Sequence, residues 1–240
     1  RTAPTIDDIT TDWGSFLNST EDNSDGTVSV TTSGAEDGQQ VTVGLNGESY
    51  SALVASNKAL ITVPAADLQA LTDDEYYAFT VDASDAAGNA ATQHSSVTDY
   101  FFVDSTVPTL SINLGHFGNT NQSGVITSFK DGYQATISFN FSEEIIDFDE
   151  SDVTVENGNI ESVQQVTDHR WQAIFTPTDD IEDATNVIIA GYDWTDTAGN
   201  APLGPTNSFN YKIDTLEPTL NSIVLSDTKL KAGETTTVTF

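Results

Sequence analysis

Two motifs recur in the same order about 110 residues apart, and that period constrains the fold more than any other feature. Asp82-Ala-Ser-Asp85-Ala-Ala-Gly88-Asn89 returns 111 residues on as Asp193-Trp-Thr-Asp196-Thr-Ala-Gly199-Asn200. Val103-Asp104-Ser-Thr-Val-Pro108-Thr-Leu110 returns 110 residues on as Ile213-Asp214-Thr-Leu-Glu-Pro218-Thr-Leu220. Such a period is too long for one turn of a solenoid. It fits a β-sandwich domain of about 100 residues. Cutting at the Pro-Thr steps divides the chain into a repeat at 1–103, a second at 104–213, and the start of a third at 214–240. The segment Gly233–Phe240 resembles Gly132–Phe139, but two strands cannot bury a sheet face alone.

The local pattern agrees with strands. Val41-Thr-Val43-Gly-Leu45 alternates apolar and polar residues, and Asn46-Gly47 follows it. That dipeptide is the strongest short hairpin signal, because both positions tolerate positive φ. Ala59–Val63, Tyr76–Val81, Trp171–Phe175, Val187–Ala190 and Phe209–Ile213 read as further strands. In Ala135–Phe141 a period of two puts Ile137, Phe139 and Phe141 on one face. One helix is expected, Pro64–Leu71, with proline in its first turn. The expected fold is therefore all-β: tandem immunoglobulin-like antiparallel sandwiches arranged end to end.

Charge narrows the function. The chain has 37 Asp and Glu against 7 Lys and Arg, a formal net charge of −30. The bases are scattered and form no patch to neutralise phosphates, so no nucleic-acid partner is expected, and an anionic membrane surface would repel the chain. No run of 18 apolar residues exists to span a bilayer. With 37% apolar residues in alternating runs, disorder is a poor explanation of the charge. Acids gathered in loops to hold cations explain it better. There is no cysteine, so a secreted chain of this kind needs another staple, and calcium supplies one. The chain opens at Arg1 and reads as a piece of something longer.

Calcium takes six to eight hard oxygens from carboxylates, amides and carbonyls. Asp82, Asp85 and Asn89 offer three side chains within eight residues, with Gly88 for the turn. If Asp82 and Asp104 end adjacent strands at one pole, they share an ion at the junction of two domains. The same logic groups Asp193, Asp196 and Asn200 with Asp214. Asp12, Asn18 and Glu21 form a further candidate loop, and Glu143, Asp149 and Asp152 lie in a dense acidic run. The competing reading of each is an ordinary hydrated turn. No EF-hand register is present. His94, His116 and His169 sit in no catalytic or metal motif, so no enzyme is expected. Trp13, Trp171 and Trp194 fit core packing better than a sugar platform. The sequons at Asn18, Asn121 and Asn140 would carry information only in a chain from a glycosylating host.

The stretches Gly44–Tyr50, Val63–Leu71 and Val81–Asn89 resemble one bacterial Ig-like repeat type of giant RTX-type, type I secreted adhesins and biofilm-associated surface proteins. Phe141-Ser-Glu-Glu144, Phe148–Val155 and Phe175–Thr178 resemble a second repeat type of the same proteins. The resemblance implies a Ca²⁺-rigidified extender at the extracellular bacterial surface. Such a segment is monomeric, its partners are neighbouring repeats of its own chain, and it projects a distal domain whose ligand the sequence does not name. The alternative is a ligand- or carbohydrate-binding Ig-like module of a secreted protein.

Overall fold

In a computed structural model, residues 2–91, 100–116, 128–130 and 132–240 are described. His94 and the sequon at Asn121 lie outside them. The described chain is built of short strands, one four-residue α-helix and two 3-10 turns. No described helix is long and apolar enough to cross a membrane. The packing resolves into two compact units. The first contains Arg1–Leu110, Phe141–Phe148 and Gly191–Pro205; the second contains Ser111–Asn140, Asp149–Ala190 and Thr206–Phe240.

The first unit holds three three-stranded sheets. In one, Gly26–Ser33 is flanked by Thr5–Thr11 and Lys58–Val63, both antiparallel to it. In another, Gln40–Leu45 pairs with Glu48–Leu53 and with Thr80–Ala83. The hairpin turns at Asn46 and Gly47, with φ of 49° and 86°. In the third, Tyr100–Asp104 lies parallel to Phe16–Asn18 and antiparallel to Glu75–Ala78. Alternation builds the core directly: every second residue of Gly26–Thr32 and of Val41–Leu45 is buried. Trp13 sits among these strands, edge-on to Phe101 at 5.4 Å between ring centres. Gly26 is required there, because a Cβ at that position would fall on the Trp13 ring.

The Tyr76–Val81 strand expected from the sequence is two strands. Glu75–Ala78 pairs with Tyr100–Asp104, and Thr80–Ala83 crosses to Gln40–Leu45. Phe79, 4% exposed, is the bend where the chain changes sheets. A local alternation pattern cannot reveal this, since each half obeys the same period. The expected Pro64–Leu71 helix is shorter, Ala65–Leu68, with Pro64 as its N-cap. A single helical turn followed by a bend suffices to bury Leu68 and Leu71.

Two loops from the later half of the sequence complete the first unit. Ile145–Ile146 pairs with Thr195–Asp196. Around that pair Phe141, Phe148 and Trp194 pack edge to face, with ring centres 5.0 to 6.2 Å apart. Such pairs add to the burial of apolar area. The loop at 142 is tied down twice: Ser142 N–H donates to Thr109 O, and Thr109 N–H donates to Ser142 Oγ.

Apart from the end residues Leu110 and Phe141, which fall in the first unit, the second unit has a four-stranded sheet ordered Leu110–His116, Ala135–Phe141, Arg170–Pro177, Gly158–Thr167. It also has a three-stranded sheet in which Tyr211–Asp214 runs parallel to Ser128–Lys130 and antiparallel to Glu182–Asn186. Ala135, Ile137 and Phe139 point into the core, as their alternation requires. Phe129, Phe175 and Tyr211 form its centre, 5.2 to 5.6 Å apart. Beyond Asp214 only Val224–Leu225 and Val238–Thr239 pair, and their side chains are exposed.

Candidate metal centre

The two recurring motifs fold into the same turn. Asp85 Oδ1 accepts from Ala87 N–H (3.0 Å) and Asn89 N–H (2.8 Å), and Asn89 Nδ2 donates to Asp85 Oδ2 (2.8 Å). In the second copy Asp196 Oδ1 accepts from Ala198 N–H (2.8 Å) and Asn200 N–H (2.8 Å), and Asn200 Nδ2 donates to Asp196 Oδ2 (2.9 Å). Gly88 and Gly199 take φ of 84° and 91°, a region closed to most side chains, which explains their place in the motif. The second aspartate of each motif is therefore a buried turn organiser, Asp85 at 2% exposure and Asp196 at 0%. The first aspartates, Asp82 and Asp193, are exposed.

The first copy has the Glu36 carboxylate against it, accepting from Ala86 N–H (2.9 Å), whereas the second has two further carboxylates, Asp104 and Glu143. Asp104 ends the Tyr100–Asp104 strand, Glu143 follows Phe141 on the tethered loop, and Asp196 ends the short strand paired with Ile145–Ile146. One carboxylate oxygen from each lies within 4.8 Å of the others, and all three residues belong to the first unit. Asp104 and Glu143 are half-buried, and Asp196 is fully buried. Burial first, then Asp196 and Asp104, push the Glu143 carboxyl up to about 7. Burial and Asp196 likewise raise Asp104, with smaller pushes from Asp73 and Asp74 against a hydrogen bond from Thr106. No basic group is among the causes of either shift. Three hard oxygens held together at a cost in like-charge repulsion make a fitting cradle for a hard divalent cation.

The groupings read from the sequence differ from those the fold makes. Asp82 pairs beside Thr42 in one sheet, while Asp104 pairs beside Asn18 in another, so they do not end adjacent strands. Phe79's change of sheet is the cause. Asp193, Asp196 and Asn200 belong to the first unit, whereas Asp214 lies in the second, between Lys130 and Glu182. Glu143 belongs to the first unit, and Asp149 and Asp152 belong to the second. Those two form a capping box: Asp149 Oδ1 accepts from Ser151 N–H, and Asp152 Oδ2 accepts from Asp149 N–H. Asn18 and Glu21 also close a loop on themselves, Asn18 N–H donating to Glu21 Oε2 and Glu21 N–H to Asn18 Oδ1. Asp12 accepts from Thr27 N–H. Asp73 was not singled out by sequence, yet it fastens the chain just past Asp104 by accepting from Ser105 N–H (2.7 Å) and Thr106 Oγ1 (2.5 Å).

The raised Glu143 carboxyl fixes the sign of a pH effect in the metal-free protein. Its folded value exceeds the ordinary one, so the folded state takes up the proton more readily and ionisation destabilises the fold. Lowering pH through about 7 toward 4.5 is expected to stabilise the chelated protein. Solvent screening at this half-buried site limits the gain to on the order of 1 kcal/mol. Thermal melts in EDTA at the two ends of that window check it; a flat or reversed trend refutes it. Further acid works the other way. Burial tends to raise Asp73, but its hydrogen bonds from Thr106, Ser105 and Asp74 hold it below the usual range. Its contribution is lost only as pH falls through that lowered value.

Residues 104–213 match the family model of the bacterial Ig-like domain. A bacterial immunoglobulin-like domain from the M. primoryensis ice-binding adhesin is 32% identical over 42% of this chain and 95% of its own, with a TM-score of 0.31. Residues 104–213 belong to the bacterial Ig-like domain family. Two solved structures are similar to this Ig-like chain over most of its length. One is a 1.5-MDa bacterial ice-binding adhesin retained at a host cell surface (18% identity, 89% of this chain, 65% of that one, TM-score 0.47). The other is a Ca²⁺-stabilized adhesin that helps an Antarctic bacterium reach out and bind ice (20% identity, 91% of this chain, 51% of that one, TM-score 0.49). The Ig-like chain thus spans about two thirds and about half of those two. No curated protein matches it.

Proposed function

We propose that this chain is a calcium-rigidified extender segment of a bacterial surface adhesin, with one Ig-like repeat at 1–103, a second at 104–213 and the beginning of another at 214–240. It works outside the cell, catalyses nothing, and carries a distal binding domain away from the surface. The observation that carries this reading is the convergence of Asp104, Glu143 and Asp196, because Asp104 stands where the first sequence repeat hands over to the second. Asp104, Glu143 and Asp196 would hold the ion, and its charge would cancel the repulsion that pushes Glu143 up. An ion there would fasten Asp104, at the end of the Tyr100–Asp104 strand that leaves the first repeat, to the loops of Glu143 and Asp196, and so restrain swivelling about the linker, where Pro108 favours an extended chain. Affinities of roughly 10⁻⁴ to 10⁻³ M, typical of extracellular modules, suit a millimolar calcium environment.

A sugar-binding reading finds little support in the tryptophans. Trp13 and Trp194 are 6% and 1% exposed, so neither ring offers a platform. The test of the extender reading is a metal count on the purified chain, together with its length by small-angle scattering in calcium and in EDTA. At least one bound calcium and a longer, stiffer particle in calcium are expected. No bound metal, with identical scattering curves, removes the reading.

A further inference from the structure

Asn200 differs from its counterpart Asn89 in what lies beyond the turn. Both close their own turn through the preceding aspartate, Asp196 or Asp85. Asn89 is exposed, and among the described residues its side chain does nothing further. Asn200 is 0% exposed and reaches into two other segments. Its Nδ2 also donates to Asp104 O (2.8 Å), and its Oδ1 accepts from Ser19 N–H (2.8 Å). Next to it, Asn18 Nδ2 donates to Ala198 O (3.1 Å). Gly199 leaves room for that amide, since a Cβ there would lie 3.2 Å from Asn18 Nδ2. All of these residues belong to the first unit. Three stretches, two of them 96 and 181 residues from Asn200 in sequence, are thus tied by one amide whose two N–H groups and oxygen are all engaged.

We propose that Asn200 is a metal-independent latch and positioning residue. It holds the 193–200 turn to the end of the Tyr100–Asp104 strand and to the Asn18–Ser19 loop, and so sets the places of the Asp104 and Asp196 carboxylates. Asn200 does this with neutral hydrogen bonds, which persist when a chelator removes every divalent ion. A buried amide of this kind is costly to leave unsatisfied, so the three segments stay together as a set. The cation site is then assembled before the cation arrives, and the ion tightens an existing contact. This last part rests on the extender reading above; the latch does not.

Amide hydrogen exchange separates the two. In EDTA, the Ser19 N–H of the wild-type chain is expected to exchange roughly 100-fold more slowly than an open loop amide. Glu143→Gln, which removes a carboxylate and leaves the latch, is expected to keep that protection. Asn200→Ala is expected to abolish it, while Asn89→Ala, which loses the equivalent turn bond alone, leaves it intact. Calcium affinity by titration calorimetry is expected to fall about tenfold in Asn200→Ala and to stay unchanged in Asn89→Ala. Should Asn200→Ala fail to fold, Asn18→Ala reads the neighbouring bond to Ala198 O in the same way. A Ser19 amide that exchanges at the loop rate in EDTA overturns the latch, as does equal loss of protection in Asn200→Ala and Asn89→Ala. A wild-type chain that binds no calcium yet protects Ser19 in EDTA defeats the cation site and leaves the latch standing.

Discussion

Replacing Trp194 by alanine is expected to destabilise the chain by about 3–5 kcal/mol, the cost of emptying a large aromatic site in a packed core. Trp194 is 1% exposed and packs edge to face on Phe141 and Phe148, at 5.0 and 6.2 Å. Its Nε1 donates to Gly191 O, so the ring also fixes the entry of the 193–200 turn. The loss is therefore read twice. Urea unfolding should show a lower midpoint, and calcium should no longer raise the melting temperature, because Asp196 is anchored through this ring. Trp194→Phe, which keeps a ring and loses the indole N–H, should cost less and retain the calcium response. A Trp194→Ala chain within about 0.5 kcal/mol of wild type by the same assay, the effect of an ordinary surface substitution, would show that the cluster is not packed as described.

Adding about 10 mM calcium to the chelated protein is expected to stabilise it by about 2.7 kcal/mol, if the site binds near 10⁻⁴ M. For units of this size that is a rise of roughly 5–10 °C in melting temperature. Glu143→Gln gives the reading its sharper form. In EDTA the variant should melt above wild type, because the repulsion from Asp196 and Asp104 is gone. In calcium it should melt below wild type, because a ligand is gone. The two curves must cross. Parallel curves in the two conditions would mean that Glu143 feels its neighbours but holds no ion. Magnesium at equal concentration should do less, since its small octahedral shell fits poorly to three carboxylates on separate loops.

Much of the fold is legible in the sequence where local chemistry decides it. Asn46-Gly47 fixes a hairpin between alternating strands, and Ala135–Phe141 buries every second residue. Strands whose faces are both mostly exposed leave no such trace. Gly158–Thr167 is the longest strand among the described residues, and only Ile160 in it is buried, so no period marks it. Phe79 is invisible for a different reason: a change of sheet alters partners without altering the alternation on either side. The candidate site divides in the same way. Acids in loops are conspicuous one by one, and the turn built by Asp-x-x-Gly-Asn follows from its glycine. Which acids meet is a matter of contacts between residues as distant as 104 and 196, and no local pattern encodes it. The repeated motif even misleads here, because equivalent turns at 85–89 and 196–200 have different surroundings.

The parallel pairing of Phe16–Asn18 with Tyr100–Asp104 places a strand near the start of the chain alongside the strand that leaves the first repeat. Ser128–Lys130 and Tyr211–Asp214 stand in the same relation in the second unit. Traction along the polypeptide would draw the members of each pair in opposite directions along their common axis. The evenly spaced bonds between them would then share the load and have to fail together, where an antiparallel hairpin would unzip one rung at a time. Under the extender reading proposed above, resistance to drag from moving fluid would follow from that arrangement alone.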